Sequence, residues 1–386
     1  MEKQKQVTRT IGFAGTFAVS SVLFSSHAGG GFATGNQATQ YYVQYGWYAP
    51  FMAILAMALL TLTIRECIIM YNTRGLASYK QLFQTLYHPF DKMSILFDIY
   101  FYTMVLCAVG AVVAGAASLI NKNYGVPYVY SVLSVGAILM VLTIFGATLV
   151  ARASTIMSIG ILTTCGIIFV LGINAKIPEI TNIFAVREST TNISKVILKA
   201  FTYAGFQSVV IPTMIACGKS LTSTKEISKS MMISFVINSV ALVLSVIMLL
   251  GWYAEFTQVG ETTLPSLYVT KQLGKTYVFW AYNICLFLCL ISTGVTTIYG
   301  FVEKFEKAKM LKAINKVIVR RIIVSCFIMI LSMGISMIGL DKIIKYGYGY
   351  MGYLGIAIII IPFLTVGVYK NRKYIRNQDN TATQQS

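Results

Sequence analysis

Charged residues are the scarcest class in this chain relative to ordinary proteins. They make up 11% of its 386 residues, whereas soluble domains carry roughly 25%. Hydrophobic residues reach 56%, and the mean hydropathy is +0.70. This balance excludes an ordinary soluble domain and predicts an integral membrane protein. The apolar runs are long and continuous rather than alternating, which favours helices over a β-barrel.

Histidine and cysteine are too few, or too dispersed, for most metal and redox chemistry. The chain has two histidines, His27 and His88, and seven cysteines inside or beside apolar runs without close pairs. That pattern excludes a histidine-rich metal centre and argues against a disulfide framework or a zinc site. The apolar segments contain no G-x-S-x-G or H-E-x-x-H motif. We therefore expect no enzyme, no organic cofactor and no transition metal, and a channel would need a polar pore lining that the helices lack.

Acidic residues are few compared with basic ones, and the net charge is +18. Such a charge could indicate a nucleic-acid partner, but most lysines and arginines fall at the ends of spans on one side of the membrane. The positive-inside rule accounts for this asymmetry and places both termini in the cytoplasm. We expect a multi-pass protein of the bacterial plasma membrane whose partners are lipid and a small molecule, with no nucleic acid. The sequence does not predict the oligomeric state.

The apolar runs predict an all-α protein with ten transmembrane helices. The predicted spans cover residues 8–46, 47–71, 93–120, 128–150, 153–173, 196–217, 229–253, 276–302, 317–339 and 349–369.

These spans form two five-helix repeats, residues 1–173 and 196–369, separated by an extracellular loop at 174–195. The polar cytoplasmic tail, 370–386, is expected to be disordered beyond Lys373. A second external loop predicts a short helix after Pro265, which either caps a cavity or lies at the membrane interface.

The first apolar run is interrupted by SSHAGGGFATGNQ. Residues 11–24 would rise only about 21 Å as a helix, short of the roughly 30 Å hydrocarbon core. One interpretation is a cleaved signal peptide ending at the S-H-A step, which would leave nine spans. The other is a retained helix that breaks inside the membrane, where non-helical backbone is tolerated only if it is buried or lines a cavity.

A second interruption supports the retained, broken helix. The sixth span reads KAFTYAGFQSVVIPTMIACG, with Gly205 and Gln207 in its middle and Pro212 shortly after. It crosses the membrane in the opposite direction to the first span. Paired breaks in two inverted halves indicate the binding site of a secondary transporter.

The run AGGGFATGNQ resembles the GAGFASGQE motif of the YkvI-type bacterial membrane proteins, a family regarded as amino acid permeases of the amino acid–polyamine–organocation superfamily. Weaker similarity extends to YAGFQ in span six and YGYGYMGYLG before the last helix. This resemblance implies the LeuT-type five-plus-five inverted repeat with discontinuous helices 1 and 6. Gly205 and Asn36 depart from the residues usual in the family.

The two breaks predict a substrate site in which the backbone itself binds the ligand. Amides freed at a helix start suit a carboxylate, and glycine lets the backbone approach it closely. The candidate substrate-binding residues are His27, Gly29, Gly30, Gly31, Phe32, Tyr203, Gly205, Phe206 and Gln207.

A sodium site is predicted beside the first break, because Na⁺ prefers oxygen ligands. The carbonyls of Ser25 and Ala28 would face span eight, which carries adjacent hydroxyls at Ser292 and Thr293 and a carbonyl near Cys289. Sodium-coupled LeuT-type transporters have a similar hydroxyl pair. The alternative is that these hydroxyls bond within their own helix.

His27 leaves the coupling ion open, because an ionisable group inside a membrane is a functional candidate by default. It could carry the coupled proton, or remain neutral and stabilise the broken backbone. We expect a secondary active transporter of an amino acid or a related amine or carboxylate, coupled to Na⁺. The alternatives are a proton-coupled permease using His27 and a membrane sensor that binds without transport.

Overall fold

The computed structural model describes residues 13–27, 30–306, 311 and 314–384. Within these residues, eight helices are long and apolar enough to cross a membrane. A ninth span is the bent pair Ile159–Asn174 and Ile177–Ala185, whose axes differ by 70°. The predicted first span is divided into short pieces, so ten crossings fit the arrangement.

In the first half of the chain, the described residues form nine α-helices. They are α1 (Phe13–His27), α2 (Gly30–Ala33), α3 (Asn36–Tyr41), α4 (Ala49–Thr73), α5 (Tyr79–Tyr87), α6 (Ser94–Tyr124), α7 (Tyr128–Val141), α8 (Ala147–Asn174) and α9 (Ile177–Ala185). Short 3₁₀ and π segments extend several of them, at Val43–Tyr48, Asp91–Met93 and Leu142–Gly146.

The second half contains nine more helices. They are α10 (Ile193–Gln207), α11 (Ile211–Gly218), α12 (Thr224–Gln258), α13 (Pro265–Gln272), α14 (Thr276–Phe305), α15 (Val317–Ser336), α16 (Leu340–Lys342), α17 (Gly349–Gly355) and α18 (Val368–Gln384). A 3₁₀ turn at Ser208–Val210 joins α10 to α11, and π segments at Ile343–Tyr348, Ile356–Ile360 and Phe363–Gly367 lie between α16 and α18.

Within the described residues, the first break lies between α2 and α3. Between α2 and α3 the chain turns at Gly35, whose φ of +78° is a conformation that glycine adopts without strain. Ala28 and Gly29, at the α1–α2 junction, lie outside the described residues. The interruption that the described residues show is at Gly35, four residues after the three consecutive glycines.

The second break is milder, because only the 3₁₀ turn Ser208–Val210 separates α10 from α11. Pro212 lies in the first turn of α11, where its missing N–H removes no helix hydrogen bond. The hydroxyl of Tyr100, on α6, donates to the carbonyl oxygens of Gly205 (2.6 Å) and Phe206 (2.8 Å). Tyr100 is fully buried and so satisfies carbonyls that the break leaves free.

Helices α10 and α17 pack backbone against backbone through glycines. A Cβ on Gly205 would lie 2.3 Å from the carbonyl oxygen of Gly352, and one on Gly355 would lie 2.3 Å from that of Gly205. Such close approach is typical of small residues at helix interfaces in membranes. Gly205 therefore faces α17 and fixes the position of the second break.

The prediction of a disordered tail beyond Lys373 is wrong, since α18 continues to Gln384. Its first turns are held by specific contacts that the polar composition does not reveal. Asn371 donates to the backbone and side-chain oxygens of buried Glu66 at 3.0 and 2.9 Å. Arg74 stacks over the ring of Tyr374 at 4.5 Å.

Candidate functional site

His27 is the last described residue of α1, and it is 3% exposed. Its Nδ1 is 2.9 Å from Oδ1 of Asn238 on α12, and its Nε2 is 2.7 Å from the hydroxyl of Tyr203 on α10. One histidine thus connects α1 to the helix that contains the second break. Both ring nitrogens have partners, as a buried polar group requires.

The partners of Asn238 define which ring nitrogen carries a proton. Nδ2 of Asn238 donates to the carbonyl of Ser234 at 2.8 Å, so Oδ1 faces the ring and accepts from Nδ1–H of His27. Nε2 then accepts from the Tyr203 hydroxyl, and the imidazole is neutral. Neutrality suits a ring this deeply buried, because an isolated charge is expensive in a dry interior.

Gln37, from α3, closes the cluster on its other side. Its Oε1 lies 3.4 Å from the Tyr203 hydroxyl, which is already 2.7 Å from His27. A phenol has a single O–H, so it can donate to only one of these two acceptors at a time. The Gln37 side chain also folds over Gly31, where a Cβ would lie 2.2 Å from its Nε2.

Aromatic rings from both breaks surround this polar cluster. Phe32 is 3% exposed, and its ring centroid lies 5.4 Å from that of His27. Phe206 lies 4.8 Å from Tyr203 and 5.0 Å from Tyr41. The predicted residues His27, Phe32, Tyr203 and Phe206 therefore meet in one place.

The remaining predicted substrate residues have varied positions. Gly30 and Gly31 are helical residues of α2, which precedes the turn at Gly35. Gln207 is buried at the end of α10, and Gly205 packs against α17 as described. Gly29 falls outside the described residues.

The hydroxyls of α14 differ in how their hydrogen bonds are satisfied. Thr296 and Thr297 donate to carbonyls one turn earlier, at 2.8 and 2.7 Å. Ser292 is 6% exposed, yet its hydroxyl makes no hydrogen bond to any residue in the described part of the chain. The alternative of bonding within the helix therefore holds for its neighbours and not for Ser292.

The other predicted sodium ligands are less closely gathered. Cys289 is buried, and the Thr293 hydroxyl is within hydrogen-bonding reach of its thiol. Ser25 is exposed, with its hydroxyl donating to the Val22 carbonyl at 3.0 Å. Within the described residues, no hydrogen bond joins Ser25 to the α14 hydroxyls, and α1 packs mainly on α12 and α11. Ala28 lies outside the described part.

A polar stripe on α12 holds α1 in this position. Ser230 donates to the carbonyl of Thr16 (3.0 Å), Ser20 donates to that of Ser230 (2.8 Å), and Ser234 donates to that of Ser20 (3.1 Å). The sequence analysis did not identify this stripe or Asn238. The available signal was the spacing S-x-x-x-S-x-x-x-N within an apolar span, which places all three side chains on one helix face.

Helix α13 covers the first break on the side that the charge pattern predicts to be external. The amide N–H of Ser266 donates to the carbonyl of Thr34 at 3.2 Å, and the hydroxyl of Tyr282 on α14 donates to that of Ala33 at 2.6 Å. The predicted helix after Pro265 thus packs on the hinge between α2 and α3.

The carboxylate of Asp341 connects the region around α13 to the last helices of the chain. Nδ2 of Asn36 lies 2.6 Å from Oδ1 of Asp341, and the hydroxyl of Thr263 donates to Oδ2 of Asp341 at 2.7 Å. Nδ2 of Asn36 also reaches the Thr263 carbonyl at 3.0 Å. Asp341 therefore joins the first break, the loop before α13 and α16 in one external closure.

We expect D341A to open this closure. The substitution removes charge-assisted hydrogen bonds that stabilise the closed arrangement by about 1.5–3 kcal/mol. The fraction of molecules in which this closure is open should therefore rise roughly tenfold. A cysteine introduced at Thr34, which is fully buried, would then be labelled faster by a membrane-impermeant maleimide. Labelling of the native cysteines is measured in the protein without this introduced cysteine and subtracted. E179A, which removes an external carboxylate paired with Lys176, should leave the rate unchanged. Equal rates in D341A and the parent would contradict the assignment.

Comparison with solved structures identifies the fold. A Na⁺-coupled sialic acid symporter in a substrate-bound outward-open state aligns with a TM-score of 0.61 and 13% identity, over 91% of this chain and 79% of the other. MhsT in complex with L-phenylalanine aligns at 0.61 and 16% identity, over 90% and 88%. Inward-facing Mhp1 aligns at 0.59 and 12% identity, over 90% and 76%. No family model and no curated protein matches the sequence.

These similarities confirm the predicted all-α LeuT-type fold. The neighbours are transporters rather than enzymes, in agreement with the sequence analysis. The chain is a multi-pass membrane protein. The resemblance to YkvI-type proteins stays a hypothesis.

Proposed function

We propose that this protein is a secondary transporter that moves an amino acid, or a related amine or carboxylate, by alternating access, with Na⁺ as the coupling ion. The observation that carries the proposal is the pair of hydrogen bonds by which His27 of α1 joins Tyr203, on the helix of the second break, and Asn238 on α12. In transporters of this architecture, paired interruptions form the midplane site. We further propose that the protein lies in a bacterial plasma membrane with both termini in the cytoplasm, as the distribution of lysine and arginine indicates.

The substrate would occupy the region between the glycines and the aromatic rings. Amides at Gly30 and Gly31 offer donors to a carboxylate, while Phe32 and Phe206 cover its apolar part. The Tyr42 hydroxyl is a further candidate contact. It is fully buried without a hydrogen-bond partner among the described residues, and its ring lies 5.1 Å from that of Tyr203.

Support for sodium comes from the Ser292 hydroxyl, which is buried and free to coordinate an ion. The carbonyls near Ser25, Ala28 and Cys289 and the hydroxyl of Thr293 would complete an oxygen cage around a hard cation. Because Ser25 now lies apart from α14, forming the cage would require α1 to approach α14. Such movement of one broken helix relative to the scaffold is what alternating access requires.

A proton is the second candidate for the coupled ion, and the hydrogen-bond geometry favours it specifically. If His27 gained a proton, Nε2–H would donate to the Tyr203 oxygen, and the Tyr203 O–H would turn to Oε1 of Gln37. Both acceptors are already in place, at 2.7 and 3.4 Å. Protonation would therefore reverse the direction of these hydrogen bonds without a new partner.

A binding screen separates these possibilities. Purified protein is tested by thermal shift against amino acids, each with Na⁺ and with choline as the replacement. We expect at least one amino acid to raise the melting temperature more in Na⁺, and S292A to remove that sodium dependence. The matched control is T296A, one turn away, whose hydroxyl bonds within the helix. If the ligand-induced rise in melting temperature depends on pH but not on Na⁺ in both variants, the result would instead support proton coupling through His27.

A further inference from the structure

A basic groove lies on the cytoplasmic side predicted by the charge pattern, away from the two breaks. Its volume is about 710 Å³, and it is bounded by the loop after α4, by α5 and by α18. The charged side chains that line it are Arg74, His88, Asp91, Lys370 and Lys373. Three permanent cations therefore face one carboxylate.

Two of the cations are fixed in place by the fold. The Arg74 guanidinium donates to Oδ1 of Asn371 (2.8 Å) and to the carbonyl of Lys370 (2.9 Å), and it stacks on Tyr374. The Lys370 ammonium donates to three carbonyls at the end of α5, those of Thr85 (3.0 Å) and Leu86 (2.9 Å) within the helix and that of His88 (2.9 Å) just after it. These bonds hold two positive charges close together at one wall of the groove.

The third cation has no partner of its own. Lys373 is exposed and makes no hydrogen bond or ion pair with any residue that the structure describes. The carboxylate of Asp91 is 3.2 Å from Nδ1 of His88, so it is shared with the histidine. The groove keeps an excess of positive charge, with donors left on Arg74 and Lys373.

We propose that this groove binds a phosphate group, carried either by the headgroup of an anionic lipid or by a free phosphate compound. A planar guanidinium beside a mobile ammonium suits the several oxygens of a phosphate. The groove lies where α4 ends and α18 begins, which places it at the depth of lipid headgroups on the predicted cytoplasmic side. This site is independent of the transport proposal, and its occupant would hold α18 against α5.

The test compares K373Q with R372Q in the purified full-length protein. Arg372 is the next residue along α18, but it lines a separate groove on the other side of that helix, with Arg65 and Leu62. Thermal shift is measured in detergent with added phosphatidylglycerol or phosphatidylcholine, and separately with inorganic phosphate or chloride at equal ionic strength. The substitutions remove the same charge, and Lys373 has no structural contact to lose.

We expect phosphatidylglycerol, inorganic phosphate or both to stabilise the wild type, and phosphatidylcholine and chloride to leave it unchanged. K373Q should need about five times more of the effective anion for the same shift, while R372Q matches the wild type. A shift with lipid alone assigns a headgroup, and one with inorganic phosphate alone assigns a soluble compound. The proposal is overturned if neither anion stabilises the protein, or if the two variants lose the response equally.

Discussion

G205A should be among the most damaging single substitutions in this protein. The new Cβ would lie 2.3 Å from the carbonyl oxygen of Gly352 and 3.1 Å from the backbone nitrogen of Ile356. These are backbone atoms, so no side-chain rotation relieves the contact, and α10 and α17 must move apart. Overpacking of this kind destabilises by about 3 kcal/mol. We expect a melting temperature lower by about 5 °C and a smaller monodisperse fraction on size-exclusion chromatography.

The matched control is G166A, which makes the same change within α8. A Cβ at Gly166 would meet no atom within 4 Å, and alanine is the better helix former by about 1 kcal/mol. G166A should therefore be as stable as the parent or slightly more stable. If G205A and G166A both have the melting temperature of the wild type, the close contact between α10 and α17 is not present in the protein.

Y203F should weaken substrate binding by tenfold or more while leaving the fold intact. The phenylalanine keeps the ring contacts with Tyr41, Tyr42 and Phe206, but it removes the hydroxyl between His27 and Gln37. A buried nitrogen and a buried amide oxygen then lose their partner, at about 1–3 kcal/mol each. The two breaks would no longer be joined by a hydrogen bond. Titration of the substrate found in the binding screen, followed by thermal shift, measures the change in Kd.

The control for this prediction is Y128F, which makes the same chemical change in the scaffold. The Tyr128 hydroxyl, on α7, donates to the carbonyl of Ser336 at 2.7 Å, and neither residue belongs to the proposed site. Y128F should lower stability slightly and leave Kd unchanged. Equal affinity in Y203F and the wild type would show that the Tyr203 hydroxyl does not hold the site together.

The sequence alone predicted those structural elements that depend on neighbouring residues in the chain. The glycine-rich run predicts an interruption because glycine lowers helix propensity where the span is too short to continue, and the described residues show one at Gly35. Pro265 predicts the start of α13 because proline suits the first turn of a helix. The span limits followed from apolar length alone, which is why ten crossings could be proposed without the structure.

The partners across the site could not be predicted, because they depend on how distant helices pack. Asn238 follows His27 by 211 residues, and nothing in a single sequence pairs the two. The role of Gly205 could not be predicted either. A glycine in a broken span can allow close approach either of a ligand or of a neighbouring helix. Only the position of α17 in the structure shows that Gly205 packs against a helix. The part of α18 beyond Lys373 was predicted as disordered because its anchoring contact, that of Tyr374 with Arg74, is also long-range.

The most direct test of the central claim is flux. Purified protein is reconstituted into liposomes, and uptake of the labelled substrate from the binding screen is followed under an inward Na⁺ gradient, under an equal gradient of choline, and in liposomes without protein. The account predicts saturable uptake that is accelerated by the Na⁺ gradient and reduced in Y203F. Binding in detergent without uptake under either gradient, at any pH between 5 and 8, would contradict a transporter and point to a sensor built on the same fold.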